Sequence, residues 1–312
     1  MNSLTRTIIS PLAVILAILF LTLAIFFYDF KSQTYSLDHP DEAVISVLKN
    51  YRQISFFVLG DSGTGRDAPR QIALQMEQRC GQRKPEGILL LGDVVYPDGV
   101  ESVEDPQWQE KIFSVFHGEC LKDIPIYPVL GNHDYNGNTQ SWVEKSKLHD
   151  RWNFPSRNYT VKFPGHLTIY AIDSVYPIKL RKSGLEIPKT PDTPWAIAIG
   201  HHPITSQSTH GAERQGRGIR PWLLKRQLCN KVNAYFSGHS HHLEYDFIPE
   251  CNMDHYVSGG GGAGIYKTHA DGSAPFVQSA HGFLELVVSK DELDATFISI
   301  EGETLFNHRR SK

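Results

Sequence analysis

Cysteine is scarce in this chain: Cys80, Cys120, Cys229 and Cys251 are the only four in 312 residues. No two of them form a C-x-x-C pair or a zinc-finger spacing, which excludes a thiolate zinc framework. Two disulfides in an exported domain and four reduced, buried thiols both fit these positions. An excess of either charge is missing too. Thirty-one Lys and Arg stand against 34 Asp and Glu, a net charge of −3, so no basic field points to nucleic acid and no such partner is expected. There is no G-x-S-x-G elbow, which disfavours serine esterase chemistry. The glycine-rich stretch 259–264 is not followed by G-K-[ST], and it reads as a tight turn rather than a phosphate loop. Gly63-Thr-Gly65-Arg-Asp-Ala68 fits a loose dinucleotide fingerprint, but a lone match of that kind is weak. There is no internal repeat and no low-complexity tract beyond Gly259–Gly262.

What is present is a globular composition, 40% hydrophobic and 21% charged, which rules out disorder over most of the length. Twenty-five Gly and 18 Pro imply many tight turns and exclude a helical bundle. Between Arg6 and Asp29 no side chain is charged, and residues 8–27 are almost wholly apolar. About 20 such residues are what a helix needs to cross a bilayer. The run is longer than a signal-peptide core, and Phe26, Phe27 and Tyr28 stand where a cleavage site wants small residues. An uncleaved membrane anchor over 1–30 is therefore expected, with a cleaved signal and a secreted product as the alternative. Arg6 and the amino group ahead of the run favour a cytoplasmic N-terminus. The remainder would then lie outside the cytoplasm: a stalk or linker over 31–52 and one folded domain over 53–312.

Short apolar runs alternate with polar loops and amphipathic stretches along that domain. The pattern predicts strands over 54–60, 87–92, 124–131, 159–163, 167–172, 195–200, 232–237, 255–258, 283–288 and 295–300. Helices are predicted over 68–79, 106–116 and 221–229, so the fold class is α/β. Five of the apolar runs end in a glycine and a polar cluster: Gly60-Asp61-Ser-Gly63, Gly92-Asp93-Val-Val-Tyr96, Gly131-Asn132-His133-Asp134, Gly200-His201-His202 and Gly238-His239-Ser-His241-His242. Ligand sites of α/β sheets lie at the carboxyl ends of strands, so the five ends are expected to converge on one crevice.

Each cluster taken singly has a structural reading, because a strand-end Asp more often caps a helix and a Tyr more often packs. Jointly they form an O/N donor set suited to hard or borderline metals. Seven donors exceed what one ion needs, and two metals sharing a carboxylate fit better; such a pair can clamp a phosphoryl group. A Tyr ligand calls for a strongly Lewis-acidic ion, because the free phenol has a pKa of about 10. Ferric iron is the natural choice.

The ordered series GDSG, GDVVY, GNHD, GHHP and GHSH resembles the purple acid phosphatases of the tartrate-resistant type, within the calcineurin-like metallophosphoesterases. The stretches GDVVYPDGV, RWNFPS and GHSHHLEY are also similar to that group. The resemblance implies a β-sandwich of two mixed sheets flanked by helices. It also implies a dinuclear centre of Fe(III) with a divalent ion (iron, zinc or manganese). Asp61, Tyr96 and His241 would hold the ferric ion, Asn132, His201 and His239 the divalent one, and Asp93 would bridge them. His133 would contact the phosphate oxygens. His210 matches a family histidine proposed to protonate the leaving group; a solvated surface loop is its other reading. His202 and His242 carry no assigned role. The implied activity is hydrolysis of phosphate monoesters with an acid optimum, by attack of a metal-bound hydroxide. A phosphodiesterase or nucleotide hydrolase on the same site, favoured if Arg181-Lys182 and Arg214, Arg217 and Arg220 bind polyanions, is the first alternative. A non-catalytic, membrane-tethered binding protein is the second.

Overall fold

Continuous apolar runs such as Ile54–Leu59 and Gly87–Leu90 can be satisfied only where both faces of a strand are covered, and both are buried along their whole length. A computed structural model describes residues 44–49, 51–177, 185–209, 218–269 and 272–312. In chain order the elements are β1 (Val44–Ser46), β2 (Ile54–Leu59), α1 (Asp67–Gln82), β3 (Gly87–Leu90), β4 (Ile126–Pro128), α2 (Gln140–Leu148), β5 (Tyr159–Phe163), β6 (Leu167–Ala171), β7 (Trp195–Ile199), α3 (Ile219–Leu228), β8 (Ala234–Ser237), β9 (Leu243–Ile248), β10 (Met253–Ser258), β11 (Phe276–Gln278), β12 (Gly282–Val288), β13 (Glu292–Ser299) and β14 (Thr304–Ser311). They form two mixed sheets, an eight-stranded one in the order β1-β5-β6-β7-β8-β10-β9-β11 and a six-stranded one in the order β14-β13-β12-β2-β3-β4.

The two-residue period of a strand explains the layers. On β7, Ile197 and Ile199 join Phe56, Val161 and Phe236 in the core between the sheets. The alternate residues Ala196 and Ala198 face Leu224 and Leu228 of α3 in a second core outside the large sheet, where alanines let a helix approach closely. Cys80 is bonded to Cys120 and Cys229 to Cys251, which decides between the two cysteine readings.

Three expectations change. The helix predicted over 106–116 is wound as a π-helical turn over Gln109–Phe113, closed by the Ser114 amide on the Gln109 carbonyl at 2.8 Å. The strand β1, in the stretch read as a linker, pairs in parallel with β5 and belongs to the large sheet. Strands β9, β11 and β14 and helix α2 were not expected at all. The apolar run at 8–27, His210, Arg181, Lys182, Arg214 and Arg217 lie outside the described residues. Among the described residues no helix is long and apolar enough to cross a membrane.

The loop after β7 is pinned to the large sheet by buried polar groups. His255 accepts the Ile204 amide on Nε2 at 3.4 Å and lies 3.2 Å from Ser237 Oγ and 3.3 Å from Thr205 Oγ1. Burial first, then the charges of His242 and Lys225, push its pKa down to about 3. The unfolded chain takes up a proton near pH 6.5 and the folded one does not, so this residue withdraws stability as the pH falls from about 6.5 towards 3. The loss is roughly 1.4 kcal/mol per pH unit over that window. In urea titrations across pH 7 to 4, His255→Gln should show a shallower fall of stability than the wild type, by about one proton. Equal slopes would mean that His255 is not held neutral.

Candidate metal centre

Parallel strands β2, β3 and β4 of one sheet and β7 and β8 of the other bring their carboxyl ends to the same edge of the sandwich, and all five glycine-led clusters meet there. The turns off these strands are tight. Asp61, Asp93 and His239 have φ of 61°, 49° and 65°, a left-handed conformation that ordinary residues seldom adopt. Strain of this kind persists where the surroundings over-determine it, and it clusters at functional sites. Gly131 has no room for a side chain, since a Cβ there would lie 2.2 Å from Asp93 Oδ1.

The donors fall into two groups. Tyr96 Oη lies 3.1 Å from Asp61 Oδ1, 2.9 Å from Asp93 Oδ2 and 3.2 Å from His241 Nε2. On the other side Asn132 Oδ1 lies 3.1 Å from both His201 Nε2 and His239 Nδ1, and these two nitrogens are 3.2 Å apart. Asp93 Oδ1 is 3.5 Å from His201 Nε2. The two oxygens of Asp93 therefore divide between the groups, Oδ2 with the first and Oδ1 with the second. Separations of 2.9–3.5 Å are what four ligands about 2.0–2.1 Å from a common ion require of one another.

The surrounding hydrogen bonds aim these atoms inward. The second ring nitrogen of His201 meets the Leu91 carbonyl at 2.8 Å and that of His241 the Gly264 carbonyl at 2.9 Å, so each Nδ1 carries the proton and each Nε2 offers a lone pair. The His133 amide donates to Asp93 Oδ1 and the His239 amide to Asp61 Oδ2, at 2.9 and 2.8 Å. Asp134 accepts the amides of Val94, Val95 and Gly131 and so ties the end of β3 to the end of β4. Burial and then the Asp93 charge push its carboxyl up to about 8, against the pull of those amides.

Electrostatics point the same way. Burial, then the carboxylates of Asp61 and Asp93, push the Tyr96 phenol far above its ordinary range, so only a strong positive charge at the centre would ionise it. Burial tends to lower His201, yet the Asp93 carboxylate outweighs it and raises the imidazole to about 9. His239 is driven down to about 3 by burial and then by the charge on His201. The carboxylates thus favour positive charge on the imidazoles facing them, in the place a cation would take. Buried carboxylates, an amide oxygen and imidazole lone pairs turned towards one another fit a pair of metal ions.

His133 stands at the opening. Its Nδ1 bonds the Pro97 carbonyl at 2.7 Å, its ring lies 4.5 Å from that of Tyr96, and its side chain is 36% exposed. Every expected site residue among the described ones is thus brought to this edge. Ser174 was not expected. Its Oγ accepts the amides of both His201 and His202 at 2.8 Å and sets the turn that carries them. The signal was there in Ile172-Asp173-Ser174, a sixth apolar run ending in polar residues. His202 packs its ring 4.3 Å from that of His239 and His242 pairs with Glu244 at 2.6 Å, both buried.

Residues 54–243 match the calcineurin-like phosphoesterase family. The chain belongs to that family. As a calcineurin-like phosphoesterase it is a hydrolase acting on phosphate esters, and the two-group donor set described above is the chemistry such an enzyme needs. Its curated relatives are acid phosphatases. It is 28% identical to purple acid phosphatase 4 of Arabidopsis thaliana over 83% of this chain and 84% of that one. It is also 28% identical to human tartrate-resistant acid phosphatase type 5, over 82% of this chain and 90% of that one. Two solved structures share the fold. One is GAP50, the anchor in the inner membrane complex of Plasmodium, with a TM-score of 0.71 at 21% identity, covering 84% of this chain and 89% of that one. The other is a purple acid phosphatase from yellow lupin seeds, with a TM-score of 0.61 at 14% identity over 84% of this chain and 54% of that one.

Proposed function

We propose that this phosphoesterase is an acid phosphatase that cleaves phosphate monoesters at a dinuclear centre of ferric iron and a divalent ion, iron, zinc or manganese. The observation that carries the reading is the division of the two Asp93 oxygens between two converging donor groups. Asp61, Tyr96 and His241 would hold the ferric ion, and Asn132, His201 and His239 the divalent one, with Asp93 shared. Such a pair supplies Lewis acidity at the phosphoryl oxygens and ionises water at low pH.

The chain's own groups do the rest. Asp61, Asp93 and a Tyr96 phenolate set three negative charges against the five of the ions, leaving a positive centre matched to a phosphate dianion. Fixed tautomers at His201 and His241 keep the donors from turning away. His133 stands at the opening with its Nδ1–H held by the Pro97 carbonyl, and in its doubly protonated form it would donate from Nε2 to a phosphate oxygen. His210, outside the described residues, keeps its role as proton donor to the leaving group. The shared fold of GAP50 and the lupin phosphatase does not separate an enzyme from a binding protein; the intact donor set favours turnover. The apolar run at 8–27 would tether the domain outside the cytoplasm, a reading supported by two bonded cysteine pairs, which persist in oxidising compartments.

The Tyr96 assignment has a spectroscopic test. Iron-loaded protein should be coloured by a phenolate charge-transfer band, and Tyr96→Phe should lose the band while retaining its fold by circular dichroism. A colourless, fully active, iron-free wild type would sink the ferric assignment.

A further inference from the structure

The glycine-rich stretch after β10 does more than turn the chain. It runs beneath the centre, with the Gly261 amide on the Gly60 carbonyl at 3.1 Å and the Ala263 amide on the Asp61 carbonyl at 2.9 Å. Side chains are excluded along it: a Cβ on Gly261 would lie 2.1 Å from the Gly60 oxygen, and one on Gly259 2.2 Å from the Ser240 oxygen. The path is therefore fixed to the strand ends that carry Asp61 and His241, and it delivers the next three residues to one imidazole. The Gly264 carbonyl accepts His241 Nδ1–H at 2.9 Å, and the Tyr266 amide donates to the His241 carbonyl at 2.9 Å. The Tyr266 ring lies flat against the His241 ring, with centroids 4.1 Å apart and planes 15° from parallel.

We infer that Tyr266 is a positioning residue for His241, its ring fixing the plane of the imidazole so that Nε2 stays aimed between Asp61 Oδ1 and Tyr96 Oη. The inference rests on the reading of His241 as a ligand of the ferric ion. The hydrogen bond to Gly264 sets the tautomer but leaves the imidazole free to rock about that bond, because the terminal torsion of histidine is broad. A flat ring against one face removes that freedom. The contact also strengthens when the imidazole becomes electron-poor on binding a cation, since an aromatic face attracts positive charge. His201 does not need such a plate. It is fully buried, with the rings of His202 and His239 set edge-on at 4.9 and 5.0 Å. His241 is slightly exposed where His201 is not, and Tyr266 covers one face of its ring.

The test compares Tyr266→Ala and Tyr266→Phe with the wild type in the full chain loaded with ferric iron and zinc, following release of each metal into excess chelator. Tyr266→Ala should release iron about 10- to 100-fold faster, the range seen when a group supporting a ligand is removed, with zinc release unchanged. Tyr266→Phe should behave as the wild type, and the metal-free proteins should melt at the same temperature. Iron held equally long by Tyr266→Ala, iron lost equally fast from Tyr266→Phe, or both ions loosened together with a lowered metal-free melting point would each overturn the inference. A wild type that takes up no metal would instead overturn the site reading itself, so the two failures are distinct.

Discussion

Asp93→Asn should lower kcat/KM for an aryl phosphate monoester by at least about a thousandfold, ~4 kcal/mol in the barrier. The substitution keeps the shape of the side chain and removes one negative charge and one acceptor. The His133 amide, which donates to Asp93 Oδ1, selects the orientation of the new amide: its oxygen stays on that side. The NH2 group then replaces Oδ2 and faces Tyr96 Oη, 2.9 Å away in the wild type, so the group containing Asp61, Tyr96 and His241 loses its shared donor. Metal content should fall from two ions to one, and the ion lost should be the ferric one. Metal analysis beside steady-state kinetics checks both parts. A variant within tenfold of the wild type, with both ions retained, would show that Asp93 does not join two metals.

Gly131→Ala should lower the rate by about 100-fold while replacing none of the donors. The added Cβ would sit 2.2 Å from Asp93 Oδ1 and 2.3 Å from the Asp93 amide nitrogen, and the second of these is backbone that cannot swing aside. Relieving the clash moves the carboxylate by on the order of 1 Å, a displacement that can cost about 100-fold in rate. Overpacking of this kind also destabilises by about 1–3 kcal/mol. Kinetics and a thermal melt on the same preparation separate the two effects. An unchanged rate would mean that the position of Asp93 is not critical.

How far the chain could be read beforehand follows from what each element buries. Strands β2, β3, β7 and β8 are covered on both faces, so their sequences are unbroken apolar runs and their positions were legible. Strand β9 places Glu244 in a buried position and Asp246 half-buried, and β14 exposes much of its length, so neither shows an apolar pattern. The seven donors were legible because each follows an apolar run and a glycine within a few residues. Ser174 ends an apolar run too, but without the glycine that marks the other five, and the role of Asp134 and the plate formed by Tyr266 are not legible, because each acts through a backbone or ring partner that only the folded chain brings near. From the sequence the glycine stretch at 259–264 reads only as a tight turn, and its course beneath Asp61 depends on contacts spanning about 200 residues, which spacing along the chain does not reveal.

Hydrolysis of an aryl phosphate monoester as a function of pH, by the chain loaded with both metals, tests the central claim most directly. A bis-aryl phosphate run alongside and Asp93→Asn as the control complete the measurement. The account predicts an acid optimum, preference for the monoester and loss of turnover in the variant at every pH. An alkaline optimum with preference for the diester, or no turnover at any pH in protein shown to hold both ions, would contradict it.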